Sequence, residues 1–149
     1  MIPVPTPAID MIASFEGLSL TPYRCPAGYW TVGYGHRCEA SQEPISDAVA
    51  RELLEADAQI AGDAVVRLTP SVGLTDGQYG ALTSFVFNLG AGAYQASTLR
   101  RCVLAGDTPG AAAQFARWVY AGGRKLPGLI RRRAAERAMF MSVDSDGRY

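Results

Sequence analysis

Glu16 is the residue whose type and setting most suit it to acid chemistry. Ile9, Ile12, Ala13 and Glu16 recur at helical spacing, which places this carboxylate at the C-terminal end of an apolar, core-facing stripe. Burying a carboxylate without a partner is costly, and an apolar setting favours its neutral form. A protonated carboxyl of that kind is what glycoside cleavage needs on one side of the bond. The other sugar face then needs a group that orients water or stabilises positive charge. Taken alone, a Glu before a Gly at a helix end is far more often a solvated surface residue. His36, the single histidine, sits at a strand end, where a structural hydrogen bond or ion pair is a simpler role than catalytic base. Three cysteines, Cys25, Cys38 and Cys102, make no disulfide framework by count, and no Cys/His spacing suggests zinc, so a reduced chain without metal is expected. Cys25 and Cys38 could pair only if a turn brought them together.

The elements that must carry these groups can be read from capping and periodicity. Residues 2–7 are a Pro-rich arm, with Thr6 a candidate cap and Pro7 in the first turn of a helix running to Gly17. From Tyr23 to His36 the pattern becomes β, with a turn at Pro26-Ala27-Gly28. Trp30, Val32 and Tyr34 alternate against Tyr29, Thr31, Gly33 and Gly35. The glycine-rich second face would let a ligand approach the backbone, or would simply twist a hairpin. Ser46 can cap a helix with a stripe of Val49, Leu53, Ala56 and Ile60, and Thr75 with Gln78 forms a capping box before Tyr79, Leu82, Val86 and Leu89. Gly90-Ala91-Gly92 stops that helix. Ser97 caps a short helix ending at Gly106, Pro109 opens one through Trp118, and Pro127 opens the last, to about Met141. The tail from Ser142 is polar and expected to fray.

The result is an α+β chain, residues 1–149 as one domain, with a β element at about 22–40 and a helical body at about 45–142. A cleft between them is the natural ligand site. With 48% hydrophobic and 19% charged residues the chain can bury a core unaided. Its formal charge is +0, which gives no argument for a nucleic-acid partner, and none is expected. The charge is unevenly spread, however: residues 1–98 hold 4 Lys+Arg against 10 Asp+Glu, and residues 99–149 hold 10 against 4. Arg131, Arg132, Arg133 and Arg137 read as a solvated face of the last helix, or as a patch weakly attracted to anionic cell-envelope surfaces. The N-terminal stretch lacks a basic n-region and is broken by Pro3, Pro5, Pro7 and Asp10, so it reads as neither signal peptide nor membrane anchor.

Residues 16–36, EGLSLTPYRCPAGYWTVGYGH, resemble the catalytic segment of the phage lysozyme family, glycoside hydrolase family 24. In that family a Glu-Gly closes the first helix, an Asp or Cys follows nine positions later and a Thr six after that, and Gly-x-Gly-His ends the hairpin. Here these are Glu16-Gly17, Cys25, Thr31 and Gly33-Tyr34-Gly35-His36. The resemblance continues through ALTSFVFNLGAG at 81–92, STL at 97–99 and GGRKLPGLIRRRAAER at 122–137, nearly the whole chain. It implies a lysozyme-like fold, with a small β-hairpin lobe and a mainly helical lobe around the cleft. It also implies a muramidase of the endolysin type, cutting the β-1,4 bond between N-acetylmuramic acid and N-acetylglucosamine for phage-driven host lysis, with no cofactor. Glu16 would be the general acid, Cys25 the catalytic partner across the cleft, and Thr31 the residue that helps hold the attacking water. Tyr34, Gly35, Asn88 and Trp118 would contact substrate, although a mid-helix Asn and a core Trp are equally natural structural residues.

The best-known members carry Asp where this chain has Cys25. A thiol with a reference pKa of about 8.5 is mostly neutral at pH 7, a weaker base than a carboxylate. Cys25 could orient water with Thr31, attack as a thiolate, or be passive. A lytic transglycosylase working with Glu16 alone, or an inactive peptidoglycan-binding module, are the other readings, and Thr31 favours the hydrolase. The resemblance implies a monomer whose partner is bacterial peptidoglycan. It would accumulate in the host cytoplasm and reach its periplasmic substrate through a holin-type lesion.

Overall fold

The arm and first helix show how local chemistry sets the start of the chain. In the computed structural model, which describes residues 1–143, α1 spans Thr6–Glu16. Its cap is Pro5 and Thr6 is already helical, a correction to the expected Thr6 cap. The Pro5 carbonyl accepts from the Ala8 and Ile9 amides, and Pro7 has no N–H to satisfy, so no side-chain acceptor is used there. The arm is tied down as well. Val4 N–H donates to Gln59 Oε1, and Gln59 Nε2 and the Tyr79 hydroxyl both donate to the Ile2 carbonyl. Gly17, at φ 71, ends α1 in a conformation that glycine adopts without strain.

Strands β1 (Ser19–Arg24), β2 (Trp30–Gly33) and β3 (His36–Arg37) form an antiparallel sheet in that order. Tyr23 lies opposite Thr31, and Val32 opposite His36. Thr31 and Val32, which point to opposite faces of β2, are both buried.

Helix α2 (Asp47–Leu68) starts at the expected Ser46 cap, whose Oγ accepts from Val49 N–H. Its buried row is Ala50, Leu54, Ala58, Ala61 and Val65, one step round from the expected stripe. Val49, Ala56 and Ile60 are exposed and Leu53 is half-buried. Small residues decide this: alanines let α2 approach α3 (Asp76–Leu89) closely, and a Cβ on Gly62 would stand 2.4 Å from the Tyr79 hydroxyl. Helix α3 begins with the Thr75/Gln78 capping box and is buried along Tyr79–Val86. Gly90 ends it, but Ala91 already opens α4 (Ala91–Gln95).

Ser97 caps α5 (Thr98–Leu104) and Asp107 caps α6 (Thr108–Gln114), which yields to a 3-10 turn at Phe115–Arg117. Trp118 therefore lies outside the helix expected to include it. The Gly122-Gly123 pair, both at positive φ, closes a hairpin of β4 (Tyr120–Ala121) and β5 (Arg124–Lys125) that periodicity did not reveal. Helix α7 (Pro127–Phe140) matches its expected span; from Asp144 onward the tail lies outside the described residues. One apolar cluster joins Val4, Ile12, Leu54, Phe85, Phe115 and Phe140, so the helices share a core and the β sheet stands to one side of it, an α+β arrangement.

Candidate active site

Glu16 ends α1 where the chain turns into β1, its side chain 22% exposed. Its two oxygens have different surroundings. Oε1 accepts from Nη1 of Arg132 at 2.6 Å. Oε2 faces the backbone of Gly35, where a Cβ would stand 3.4 Å away. Gly35, at φ 76, is required for the turn, and the carboxyl group lies in ordinary contact range of that position. The apolar surroundings expected of Glu16 are joined by a buried cation.

Two adjoining cavities meet at Glu16. One of about 510 Å³ is lined by Ser14, Phe15, Asn88, Leu129, Arg131 and Arg132 as well as Glu16. The other, of about 330 Å³, is lined by Glu16, Gly17, Leu18, Ser19 and Tyr23. Helices α1, α3 and α7 wall the first, and the β sheet walls the second. The expected cleft between sheet and helical body is where the acid sits.

Thr31 is the cross-strand partner of Tyr23, which lines the second cavity, and the Thr31 Oγ1 donates to the Tyr23 carbonyl at 3.2 Å. A hydroxyl used once as donor keeps its lone pairs free to accept. Cys25 lies two residues beyond Tyr23, in a turn where Cys25 N–H donates to the Tyr29 carbonyl and Gly28 N–H to the Cys25 carbonyl. Backbone hydrogen bonding at Tyr29, and less strongly at Ala27 and Gly28, holds the thiol below its ordinary value. Cys38 pairs on the opposite side of β2, its amide donating to the Trp30 carbonyl. With one strand between them, the two cysteines stand about 10 Å apart, too far for a disulfide. All three cysteines are free.

Asn88 reaches the larger cavity and accepts through Oδ1 from Arg133 at 2.9 Å. Tyr34 and Trp118 are half-buried against the core, Trp118 edge-on to Phe85 with centroids 5.3 Å apart. His36 hydrogen-bonds Asp57 at 2.7 Å, the structural role expected of it.

The main surprise is on α7. Arg131 and Arg137 are exposed, but Arg132 and Arg133 are 4% and 1% exposed, which corrects the solvated-face reading for those two. They are buried because Glu136, Ser84, Asn88 and Glu16 surround them with acceptors. Sequence reasoning missed this cluster. The available signal was that Arg132, Arg133, Glu136 and Phe140 share one helical face, so charged residues occupy the positions that pack inward.

Comparison with known proteins shows the family and the fold that carry this site. The family described as phage lysozyme matches residues 13–136. The endolysin of Acyrthosiphon pisum secondary endosymbiont phage 1 is 42% identical over 142 residues, covering 89% of this chain and 94% of that one. The SAR-endolysin of Escherichia phage Mu is 40% identical over 126 residues, covering 84% and 73%. The crystal structure of a mutant P22 lysozyme superposes with a TM-score of 0.85 at 33% identity, covering 95% of this chain and 100% of that one. A carboxylate at the end of the first helix, facing a β sheet across a cleft, within a chain matched along most of its length, places this protein in the phage lysozyme family, as a muramidase hydrolase that degrades peptidoglycan for host lysis.

Proposed function

We propose that the enzyme hydrolyses the β-1,4 bond between N-acetylmuramic acid and N-acetylglucosamine, with Glu16 as general acid and Cys25 and Thr31 positioning the water. The observation that carries this reading is the unequal use of the Glu16 oxygens. Oε1 is held by Arg132, while Oε2 faces Gly35 and, on a residue that lines both cavities, is left to deliver a proton to the leaving oxygen. On the sheet side, a thiol with a lowered pKa and a hydroxyl with free lone pairs offer acceptors to a water. The reaction consumes one water and needs only a proton donor and acceptor, so it calls for no metal or cofactor.

Asn88 offers its amide N–H groups to sugar hydroxyls, its oxygen being occupied by Arg133. Gly35 allows close approach of the sugar, and Tyr34 and Trp118 each keep an exposed part for contact with it. Among the described residues no helix is long and apolar enough to cross a membrane. In our reading the enzyme waits in the host cytoplasm as a monomer and reaches the wall through a holin-type lesion.

The test compares wild type with Glu16→Gln on permeabilised cells. Loss of a general acid costs about 10²–10⁴-fold, so clearing should nearly vanish in the variant. Equal clearing by both proteins, or none by either, overturns the assignment. Products from wild type should carry an oxygen from water at the new reducing end; 1,6-anhydro ends would replace hydrolysis by transglycosylation. Cys25→Ser should keep substantial activity, and near-complete loss would mark a thiolate nucleophile instead.

A further inference from the structure

Behind Arg132 lies a carboxylate that the cleavage step does not use. Glu136 is one turn further along α7 and has no exposed surface. Its Oε2 accepts from the Ser84 hydroxyl at 2.6 Å and from Nη2 of Arg133 at 3.0 Å, and its Oε1 lies 2.7 Å from Nε of Arg133. Nε of Arg132 stands 3.5 Å from Oε2. Arg132 is therefore clasped between two carboxylates, Glu136 on the inner side and Glu16 on the outer. Its Nη2 also points to the Ser84 carbonyl at 3.4 Å, and its guanidinium lies over the Phe15 ring at 5.6 Å. Two guanidinium groups and two carboxylates balance in charge, which is how such a cluster can be kept out of water.

We propose that Glu136 is a positioning residue: acting through Arg132, it fixes the orientation of the Glu16 carboxyl group and so aims Oε2 into the cleft. This rests on the reading of Glu16 as the acid. An arginine held only at its tip can swing on a long flexible stem. One whose Nη2 donates to the Ser84 carbonyl and whose Nε is held in ion-pair range of Glu136, without a hydrogen bond there, presents Nη1 to Glu16 in a narrower range of placements. The demand for such a device is geometric, because a misplacement of about 1 Å can cost about 10²-fold in rate. The charged and titratable groups that face Glu16 are few. Arg132 and Arg131 come from α7 and Tyr23 from β1, while α3 contributes the neutral Asn88. Asp10, on α1 itself, is engaged by Arg51, and His36 by Asp57.

The test measures cleavage of soluble glycan fragments of peptidoglycan by wild type, Glu16→Gln, Glu136→Gln, Arg132→Lys and Ser84→Ala. Glu136→Gln keeps the volume and an acceptor for Ser84 but removes the charge that anchors Arg132. Its kcat per folded molecule should fall about tenfold or more, with KM within about twofold of wild type and a displaced pH profile of kcat. Arg132→Lys, which keeps the charge but not the planar fork, should show the same split. A Glu136→Gln protein that loses thermal stability but keeps wild-type kcat and pH profile per folded molecule would overturn the proposal, since that is what a purely structural role produces. Removing one partner from a buried ion cluster leaves a buried charge unpaired and can prevent folding. In that event Ser84→Ala decides, because it deletes only one hydrogen bond to Glu136. A fall in kcat with unchanged KM supports the proposal, and an unchanged kcat ends it. Failure of the underlying reading looks different: Glu16→Gln would then cleave as well as wild type.

Discussion

A carboxylate in the last turn of a helix meets the negative end of the helix dipole, and α1 has no basic residue in that turn to offset it. Arg132 supplies the missing cation from another helix. This is why Glu16 was legible from its stripe while its partner was not: a run of three arginines on an amphipathic helix has the composition of a surface. The cysteines permit a prediction at the same scale. Hydrogen bonding by the backbone at Tyr29 lowers the Cys25 pKa, whereas burial, and then the charge of Glu39, raise that of Cys38. The thiolate is the reactive form, so a lowered pKa leaves more of Cys25 reactive near neutrality and a raised one leaves less of Cys38. Iodoacetamide labelling at pH 7.5, read by peptide mass spectrometry, should modify Cys25 faster. The rate of labelling should also reach half its plateau at lower pH for Cys25 than for Cys38. Equal rates and equal midpoints would contradict the proposed hydrogen bonding of the sulfur.

At the scale of elements, glycine marks where two helices touch. A Cβ on Gly77, in the first turn of α3, would stand 2.4 Å from the Met139 carbonyl oxygen, a backbone atom that cannot swing aside. Gly77→Ala would gain about 0.5–1 kcal/mol in helix propensity. Overpacking costs about 1–3 kcal/mol, so the overlap wins. The melting temperature should fall by about 2–4 °C for each kcal/mol of net loss, measured by circular dichroism. Gly92, in α4, meets nothing within 4 Å, and Gly92→Ala should leave the melting temperature unchanged or higher. A loss at Gly92 as large as at Gly77 would mean that contact with α7 is not what selects glycine in α3. The displaced stripe of α2 has the same origin. Periodicity locates an amphipathic helix, but between two neighbouring rows the choice fell to the row of alanines that fits α3, leaving Ile60 70% exposed.

At the scale of the whole molecule, the charge asymmetry of the chain survives folding in reduced form. Arg132 and Arg133 are neutralised inside, while Arg124, Lys125 and Arg137 remain exposed. Replacing these three by Gln in a Glu16→Gln background should weaken adsorption to isolated cell-wall sacculi at low salt. The difference should disappear at 1 M salt, where the screening length is about 3 Å. Adsorption insensitive to both salt and substitution would remove any role for the basic surface. Local rules were enough for much else. The Ser46, Thr75 and Ser97 caps, the start of α7 at Pro127, the helical place of Glu16 and the turn preceding β2 follow from residues near one another in the chain. So does the family, since the 16–36 segment is itself local. What tertiary structure alone decided lies between distant segments: the burial of Arg132 and Arg133, separated by about fifty positions from Ser84 and Asn88, the clasp on Glu16 from 116 residues away, and the strand of spacing that keeps Cys25 from Cys38. Capping, turns and periodicity are properties of a few consecutive residues. Whether an arginine faces water or a carboxylate depends on what other elements bring to it, and that is settled only when the helices pack.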